Sequence, residues 1–257
     1  MVSAAGKSAV RALDLIEQLD VARQPLRLKD FVEATGAPTS SVAELLKGLS
    51  EAGYLAFDAA SRTYLPTQRV AALGNWVPTV LLQGGEVART MQRINDACGE
   101  MVFLGTANDL HVQYCEVVRS THPIQLVAEA GAKRWLARSG LGWVLLAAEN
   151  DTTIERIYRR SVLASAFERK AWTLDQLMER IGAARRDGIV LSRDTVHAGG
   201  SVIANLLPTT WCGRRLAIGV AGPTERVCQA ESRLRSMMQD EIGRLARRLR
   251  RDEPASA

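Results

Sequence analysis

Residues 28–66 hold the feature that most constrains the fold of this 257-residue chain: two short helical patterns separated by Gly36, followed by an alternating segment. The second pattern, in "GAPTSSVAELLKGLSEAGYL", repeats apolar residues at the spacing of an amphipathic helix that ends near Gly53. The following "YLAFDAASRTYLP" alternates apolar residues around a four-residue polar turn, which predicts a hairpin. Two helices across a glycine turn, with a hairpin behind them, predict a winged helix-turn-helix.

A further amphipathic helix precedes this unit. Val10, Leu13, Ile16 and Leu19 recur at three-residue steps, so we expect them on one buried face. Together with this helix, the winged helix-turn-helix is predicted to span residues 1–66.

The third helix of such a unit enters the major groove of DNA, and its early residues meet the base edges. Hydroxyl groups near its start suit phosphates, because the free backbone amides there already favour an anion. The residues that we expect to contact DNA are Thr39, Ser40, Ser41, Ala43, Glu44 and Lys47 on this helix and Arg62 in the hairpin.

Glu44 is unusual on a face that reads DNA, and two interpretations stay open. Ser41 and Glu44 match an S-x-x-E capping box, in which each side chain accepts a hydrogen bond from the other residue's backbone amide. Glu44 then stabilises the start of the helix, which is the interpretation that we favour. Alternatively, Glu44 accepts a hydrogen bond from the amino group of a cytosine.

Charge and composition bound the class of protein. The net charge is +5, yet residues 1–80 hold eight Lys and Arg against eight Asp and Glu. No apolar run reaches the roughly 18 residues of a membrane helix, and no signal-peptide core forms near the N-terminus. We therefore expect a cytoplasmic protein with no membrane partner. The four cysteines form no CxxC pair, which favours reduced thiols.

Residues 67–80 are predicted to form a linker helix, and residues 81–257 mix helices with strands. A helix with Val87, Met91 and Ile94 inward is followed by a hairpin that turns at Asn108-Asp109. Further strands are expected at "HPIQLVAEAG", "GIVLS", "SVIANLLP" and "RRLAIGVAG", and helices at "SGLGWVLLAAE", 152–160, 173–187 and 224–251. This order predicts an α+β domain with an antiparallel sheet.

Other chemistries find little support in the sequence. His111 and Cys115 are four residues apart on a predicted strand, about 13 Å from one another, so these residues and His122 are not expected to bind a metal. No nucleophile elbow of the G-x-S-x-G type is present, so neither catalysis nor a cofactor is expected. The arginines of 244–251 are interspersed with apolar residues and are typical of the solvated face of a docked helix.

Six blocks carry a resemblance to a known family: "SAVRALDLIEQL", "TGAPTSSVAELLKGLSEAGYL", "RTYLPTQRVAALG", "GAKRWLARSGLGWVLLA", "GIVLSRDTVHAGGSVIANLLP" and "LAIGVAGPTERV". In their order and spacing, the blocks resemble the IclR family of bacterial transcriptional regulators. The resemblance implies an N-terminal winged helix, a linker helix used in dimerisation, and a C-terminal GAF-like domain over 81–257 that binds a small effector.

The resemblance also implies partners. Family members typically regulate catabolic operons in response to small organic acids or aromatic metabolites, so the expected partners are double-stranded operator DNA and a small-molecule effector. A homodimer or a dimer of dimers is expected. Thr39, Ala43 and Glu44 stand where the family often has basic residues or histidine, so we expect either a different operator or DNA affinity that comes from other residues.

Matched position by position, the effector pocket of the family falls on Leu126, Gly140, Leu141, Ser192, Val202, Gly219 and Ala221. Ser192 replaces a common aspartate, Val202 a common cysteine, and Gly219 and Ala221 common serines. A buried carboxylate without partners is unfavourable by several kcal/mol, so a small keto acid is disfavoured. The space freed at Gly219 and Ala221 favours an aromatic or fairly apolar ligand, and the amides near Gly140 remain as an expected anion site.

The sequence thus predicts a ligand-responsive, DNA-binding transcriptional regulator without catalytic activity. Effector binding would shift the population between different spacings of two winged helices. Two other classes stay open: a small-molecule-binding GAF-like protein without specific DNA binding, and a metabolic enzyme. For the pocket, the open alternative is that Trp143, Leu141 and Leu126 fill it, so that it binds nothing.

Overall fold

Three helices and a small sheet share one apolar core in the N-terminal part of the chain. The computed structural model describes residues 4–74, 85–164 and 172–252, and the chain divides into two compact units, Met1–Pro78 and Thr79–Ala257. The elements of the first unit are α1 (Ala4–Ala22), β1 (Leu26–Arg27), α2 (Leu28–Thr35), α3 (Thr39–Glu51), β2 (Leu55–Asp58), β3 (Thr63–Pro66) and α4 (Gln68–Gly74).

This order confirms the predicted winged helix-turn-helix. Helix α2 ends at Gly36, whose left-handed backbone (φ 62°) lets its amide donate to the carbonyl of Val32 at 2.9 Å. The sheet is antiparallel in the order β1-β3-β2, so a two-residue strand that the sequence did not reveal joins the hairpin. Helix α4 lies in the predicted linker, and residues 75–84 lie outside the described residues.

The core of the first unit corrects the predicted face of α1. Leu15 and Leu19 are fully buried against α2 and α3, whereas Val10 and Leu13 are 52% and 61% exposed. A three-residue step turns back by about 60° around a helix of 3.6 residues per turn, so four residues joined by three such steps cannot stay on one face. Leu15 and Leu19 are four residues apart, so they lie on the same side of α1 and both face the core.

The second unit is built on one curled sheet. Its elements are α5 (Glu86–Cys98), β4 (Met101–Asn108), β5 (His111–Val118), β6 (Lys133–Trp135), a 3-10 turn (Leu136–Arg138), α6 (Gly140–Leu146), α7 (Asp151–Ala164), α8 (Leu174–Asp187), β7 (Ile189–Arg193), β8 (Gly200–Trp211), β9 (Arg214–Pro223), α9 (Thr224–Gln229) and α10 (Glu231–Asp252). The six strands pair antiparallel in the order β6-β5-β4-β9-β8-β7. The predicted α+β class with an antiparallel sheet is therefore confirmed.

Helices cover both faces of this sheet. Helices α5 and α10 pack on one face, where the predicted inward residues Val87, Met91 and Ile94 are fully buried. Helices α6, α7 and α8 form the apolar layer on the other face. The solvated arginine face predicted for the last helix is confirmed, because Leu245 is buried while Arg248 pairs with a carboxylate of α5 at 3.0 Å.

Two predicted elements of the second unit are wrong. Residues 122–131 form no strand; they belong to an irregular segment, 119–132, that we name the strap. Ile124 and Val127 of the strap are 74% and 72% exposed, so its alternating apolar residues do not form a buried face. The helix expected over 224–251 is divided at Ala230, whose backbone leaves the helical conformation. No helix within the described ranges is long and apolar enough to cross a bilayer.

Helix α6 approaches the preceding chain so closely that Gly142 has no room for a side chain. A Cβ atom built there would lie 1.9 Å from the carbonyl oxygen of Leu136. The contact is to backbone, which cannot rotate away, so any larger residue forces the helix off its position.

We predict that Gly142→Ala lowers the free energy of unfolding of the second unit by about 2–3 kcal/mol, as overpacking of a core typically does. Gly243→Ala is the matched control, because that helical glycine has 3.6 Å to its nearest neighbour; it is expected to gain up to about 1 kcal/mol from helix propensity. Urea denaturation measures both. Equal unfolding midpoints for Gly142→Ala and the parent protein would contradict the packing described.

Candidate functional site

The outer face of α3 presents most of the predicted DNA-contacting residues. Thr39, Ser40, Glu44 and Lys47 are exposed, and Lys47 forms an exposed ion pair with the carboxylate of the last helical residue at 3.7 Å. Ser41 and Ala43, which were also predicted to contact DNA, are half-buried.

The capping interpretation of Glu44 is wrong. The residue that precedes the helix is Pro38, which provides no side-chain cap and accepts from the amide of Val42 through its carbonyl at 3.1 Å. Ser41 is therefore the third residue of the helix rather than its cap, and Glu44 lies in the second turn. The Glu44 carboxylate stays exposed, and within the described residues it makes no hydrogen bond to the start of α3.

One groove of the first unit brings Thr39 together with Arg62 of the hairpin. Two further cations, Arg27 at the end of β1 and Lys29 in the first turn of α2, line the same groove, as does the acid Glu33. Arg27 is opposite Thr63 in the sheet, which places it beside the turn that carries Arg62. The basic character of this groove is local, because the unit as a whole is neutral.

The hairpin turn that carries Arg62 is fixed by Asp58. Its carboxylate accepts from the backbone amide of Ala60 at 3.0 Å and from the hydroxyl of Ser61, and these hydrogen bonds lower the pKa of the Asp58 carboxyl. Arg62 itself has φ 57°, a left-handed conformation that is uncommon for a residue with a side chain. The turn therefore holds the Arg62 backbone in a defined place while its guanidinium remains exposed.

Sequence reasoning missed Arg27 and Lys29. Their signal is weak, because a two-residue strand is too short for any hydrophobic period to reveal. The one indication in the sequence was "LRLKD", where Arg27 directly precedes α2 and Lys29 is its second residue, so the two cations lie close together.

In the second unit, neighbouring strands place one row of side chains across the sheet. The register pairs Met101 with Ala221, Ala221 with Val202, and Val202 with Ser192. All four side chains line one cavity, which the strap closes with Leu126, Val127 and Ala128. Four of the seven residues predicted for the effector pocket, Leu126, Ser192, Val202 and Ala221, are thus brought together.

The other three predicted pocket residues lie behind the cavity wall. A Cβ atom at Gly219 would be 2.6 Å from Leu141 and 2.7 Å from Phe103, so the space beside Gly219 is already filled. The expectation that Gly219 enlarges the pocket is therefore wrong. Leu141 is itself buried in the core as the residue that fills this space.

The start of α6 does not offer the expected anion site either. Gly140 is covered by Ser192, whose hydroxyl oxygen would lie 2.7 Å from a Cβ atom there. The amide of Gly142 donates to the Ser139 hydroxyl at 3.2 Å, so one of the free amides is already used. The cavity wall includes neither glycine.

Two loops form the mouth of the cavity, and each is held by a side chain. Arg226 donates to the buried carboxylate of Glu100 at 2.8 Å and to the carbonyl of Ile124 in the strap at 3.0 Å. In the loop 194–199, the Asp194 carboxylate accepts from the amide of Gly199 at 2.7 Å. Arg226 therefore links the strap to Glu100, next to the start of β4, and Asp194 holds the two ends of its own loop together.

The cavity is mainly apolar, with a few polar groups on its wall. Ser192, Thr195 and His197 lie on the side of the loop 194–199, and Tyr114 and Arg134 lie on the opposite strands. Burial raises the pKa of the Tyr114 phenol, and the nearby charge of Arg134 partly opposes that shift. No pattern in the sequence indicated Arg134 or His197, because their positions in the cavity depend on strand pairing and on the course of a loop.

Trp143 does not fill the cavity, as one alternative proposed. It is buried in the core, donates from its indole nitrogen to the carbonyl of Ala137 at 3.1 Å, and stacks on Trp172 at 5.9 Å. The described part of the chain holds no cluster of three His, Cys, Asp or Glu suited to a metal ion. His111 instead stacks on Trp135, and burial lowers its pKa.

Comparison with known proteins matches both units. The profile "IclR helix-turn-helix domain" matches residues 8–59, and "Bacterial transcriptional regulator IclR C-terminal" matches residues 85–247. A protein of Cupriavidus necator, "Probable transcriptional regulator SauR", is 30% identical over 143 residues, which are 54% of this chain and 56% of that protein. The chain spans about half the length of the curated relatives it matches.

Two solved structures are similar as well. The effector domain of a transcriptional regulator IclR from Acinetobacter sp. ADP1 is 27% identical, with a TM-score of 0.58, over 65% of this chain and 97% of that one. An IclR transcriptional regulator from Alicyclobacillus acidocaldarius has a TM-score of 0.72 at 16% identity, over 93% and 97% of the two chains, and shows the shared fold. With both family profiles matched in order along most of its length, this chain belongs to the IclR family of bacterial transcriptional regulators.

Proposed function

We propose that this chain is a ligand-responsive, DNA-binding transcriptional regulator, and that the groove beside α3 is part of its DNA interface. The observation that carries the proposal is that Arg27, Lys29 and Arg62 converge on one groove next to Thr39. Phosphate contacts supply most of the nonspecific affinity of DNA-binding proteins and fix their register on the duplex. A local cluster of cations therefore supports DNA binding although the winged unit is neutral.

The proposed contacts divide by chemistry. Thr39 and Ser40 stand at the first two positions of α3, where their hydroxyls and the free amides suit phosphate oxygens. Lys47 and Arg62 are proposed to contact the DNA backbone or the minor groove. Glu44 is proposed to read a cytosine, since its carboxylate is exposed and not used as a cap.

Ser41 and Ala43 are proposed to lie near the bases without anchoring the protein. Both are half-buried, so they reach DNA only where the helix is inserted closely into the groove. A small side chain at Ala43 permits that close approach.

The proposed assembly is a homodimer or a dimer of dimers. Val10, Leu13 and Val21 of α1 and Leu73 of α4 are large apolar residues that remain exposed in the first unit. Burying such residues against a second copy removes apolar surface from water, and two copies match the two half-sites of a palindromic operator. The linker over 67–80 is proposed to carry the effector signal between domains spanning 1–66 and 81–257.

For the effector, we propose an aromatic or fairly apolar small molecule, and for the regulated genes a catabolic operon. The wall of the cavity supports the first part, since Phe103, Leu126, Val196, Val202 and Ala221 all contribute apolar atoms. The named relatives are transcriptional regulators, which supports a regulatory role for this chain as well.

One alternative is a small-molecule-binding protein without specific DNA binding. The observation that favours it is the balance of charge over residues 1–80. Specificity for a DNA sequence, rather than affinity for DNA, distinguishes the two functions.

We predict that the protein binds a fragment of its own upstream DNA at least about a thousandfold more tightly than random DNA at the same salt concentration. Fluorescence anisotropy with labelled duplexes measures both affinities. Equal affinity for the two DNAs would contradict the proposed regulatory function and favour a small-molecule-binding protein without specific DNA binding.

The same titrations, repeated at several salt concentrations, test the groove. Arg27→Ala, Lys29→Ala and Arg62→Ala are each expected to reduce the slope of log affinity against log salt by about 0.9, the value for one lost phosphate contact. Arg11→Ala is the control, because Arg11 is an exposed cation of the same unit that does not line the groove.

We predict that Glu44→Gln changes the preferred operator sequence while leaving the stability of the first unit within about 0.5 kcal/mol, as for a surface substitution. The amide keeps one acceptor oxygen but loses the negative charge and gains a donor that suits adenine, so the preference for cytosine at one position is expected to weaken. Selection of binding sites from random DNA measures the preference. An unchanged profile of selected sequences would show that Glu44 does not read a base.

A further inference from the structure

Arg134 is a permanent cation on the wall of a mainly apolar cavity. Strand β6 carries it, and the register of the sheet sets its direction: Arg134 is opposite Val112, whereas Lys133 is opposite Gln113. Side chains alternate between the two faces of a sheet, so Arg134 shares the inner face with the fully buried Val112. Lys133 points to the other face and is exposed.

The guanidinium of Arg134 uses only part of its N–H donors in hydrogen bonds to the described residues. It donates from Nη1 to the carbonyl of Lys133 at 2.8 Å, and its central carbon lies 5.7 Å from the ring centre of Tyr114. No carboxylate among residues 4–74, 85–164 and 172–252 lies within ion-pair distance of it. A guanidinium offers five N–H donors in a planar fork that matches a carboxylate, so the half-buried Arg134 keeps donors available for an anion.

The rest of the cavity wall indicates the chemistry of the remaining part of a ligand whose anionic group pairs with Arg134. Phe103 and Tyr114 present their rings side by side with centres 4.6 Å apart, and the opposite wall is formed by Val202 and Ala221. No acidic side chain of the described residues lines the cavity. A cationic ligand would meet the Arg134 charge unopposed, whereas an anion is attracted.

We infer that Arg134 determines the specificity of the cavity for a ligand with an aromatic or branched apolar body and one carboxylate. This inference rests on the proposed function, because it names the ligand chemistry of the same cavity. It assigns the anion to strand β6, on the Tyr114 side of the cavity, rather than to the start of α6.

The dimensions of the cavity indicate where such a ligand lies. The open space between the lining atoms, mouth included, measures about 440 Å³. A ring with its carboxylate therefore occupies the mouth between the strap and the loop 194–199 as well as the space beside the strands. The strap and the loop 194–199 on either side of the mouth limit the access of water to the ion pair, which strengthens it.

The test compares carboxylates with their neutral amides on the full-length protein. Isothermal titration with benzoate, benzamide, 2-naphthoate and 2-naphthamide is carried out on the parent protein, Arg134→Gln, Arg134→Lys and Lys133→Gln. The parent protein is expected to prefer each carboxylate to its amide by about 10- to 100-fold, the range for a charge-assisted hydrogen-bonded pair. Arg134→Gln is expected to abolish that preference while retaining amide binding, and Arg134→Lys to retain part of it.

Lys133→Gln is the matched control, since it removes a cation from the adjacent residue on the opposite face. It is expected to leave the preference within about twofold, because exposed charges are largely screened. An equal affinity of the parent protein for carboxylates and amides, an unchanged preference in Arg134→Gln, or an equal loss in Lys133→Gln would each overturn the inference.

The outcomes separate this inference from the function on which it rests. Binding of amides and carboxylates alike would leave an apolar effector cavity standing and remove only the role of Arg134. Binding of none of the four probes would overturn both the anion specificity and the aromatic effector. If Arg134→Gln unfolds at a lower temperature than the parent protein, Arg134→Lys and the salt dependence of benzoate binding decide the question, since an ion pair weakens with salt and an apolar contact does not.

Discussion

The close contact of helix α6 with the preceding 3-10 turn and with the sheet is the constraint on which the second unit depends. Gly142 leaves no space beside the carbonyl of Leu136, and the space beside Gly219 is taken by Leu141 of the same helix together with Phe103. Helix α6 therefore covers the sheet up to the row of paired residues that contains Phe103 and Gly219. The cavity begins at the next row, which Met101, Ala221, Val202 and Ser192 form, so its position follows from helix packing as much as from its own lining.

The two units present surfaces with opposite physical requirements. In the winged unit, exposed cations line the groove beside the start of α3. Phosphates that contact these cations would replace water and counterions, and both charged groups would stay largely exposed to solvent. For the cavity of the second unit, we propose a ligand that is removed from water, so that apolar area and one well-placed charge determine its affinity. A ligand shifts an equilibrium only through its different affinities for two states. The strap and the loop 194–199, which form the mouth, are the elements through which we expect that difference to arise.

Local patterns predicted what local physics determines. The glycine stop at Gly36, the hairpin over 54–66 and the strands β7 to β9 follow from turn chemistry and periodicity, and they were predicted correctly. Glu44 shows the limit, because a capping box depends on which residue begins the helix, and Pro38 moves that start by three residues. Arg134 shows another limit: its direction depends on pairing with a strand about 20 residues away, which no window of the sequence records.

The central claim is that an apolar ligand bound beside Ala221 changes the affinity of the protein for its operator. The most direct measurement is the dissociation constant for labelled upstream DNA with and without saturating 2-naphthoate, together with that of 2-naphthoate with and without DNA. The account predicts that both constants change by the same factor, about 5- to 150-fold, as linkage requires. Ala221→Leu, which narrows the cavity, is expected to abolish the change while Ala107→Leu in the same sheet retains it. A DNA dissociation constant that stays the same at saturating ligand would contradict the account.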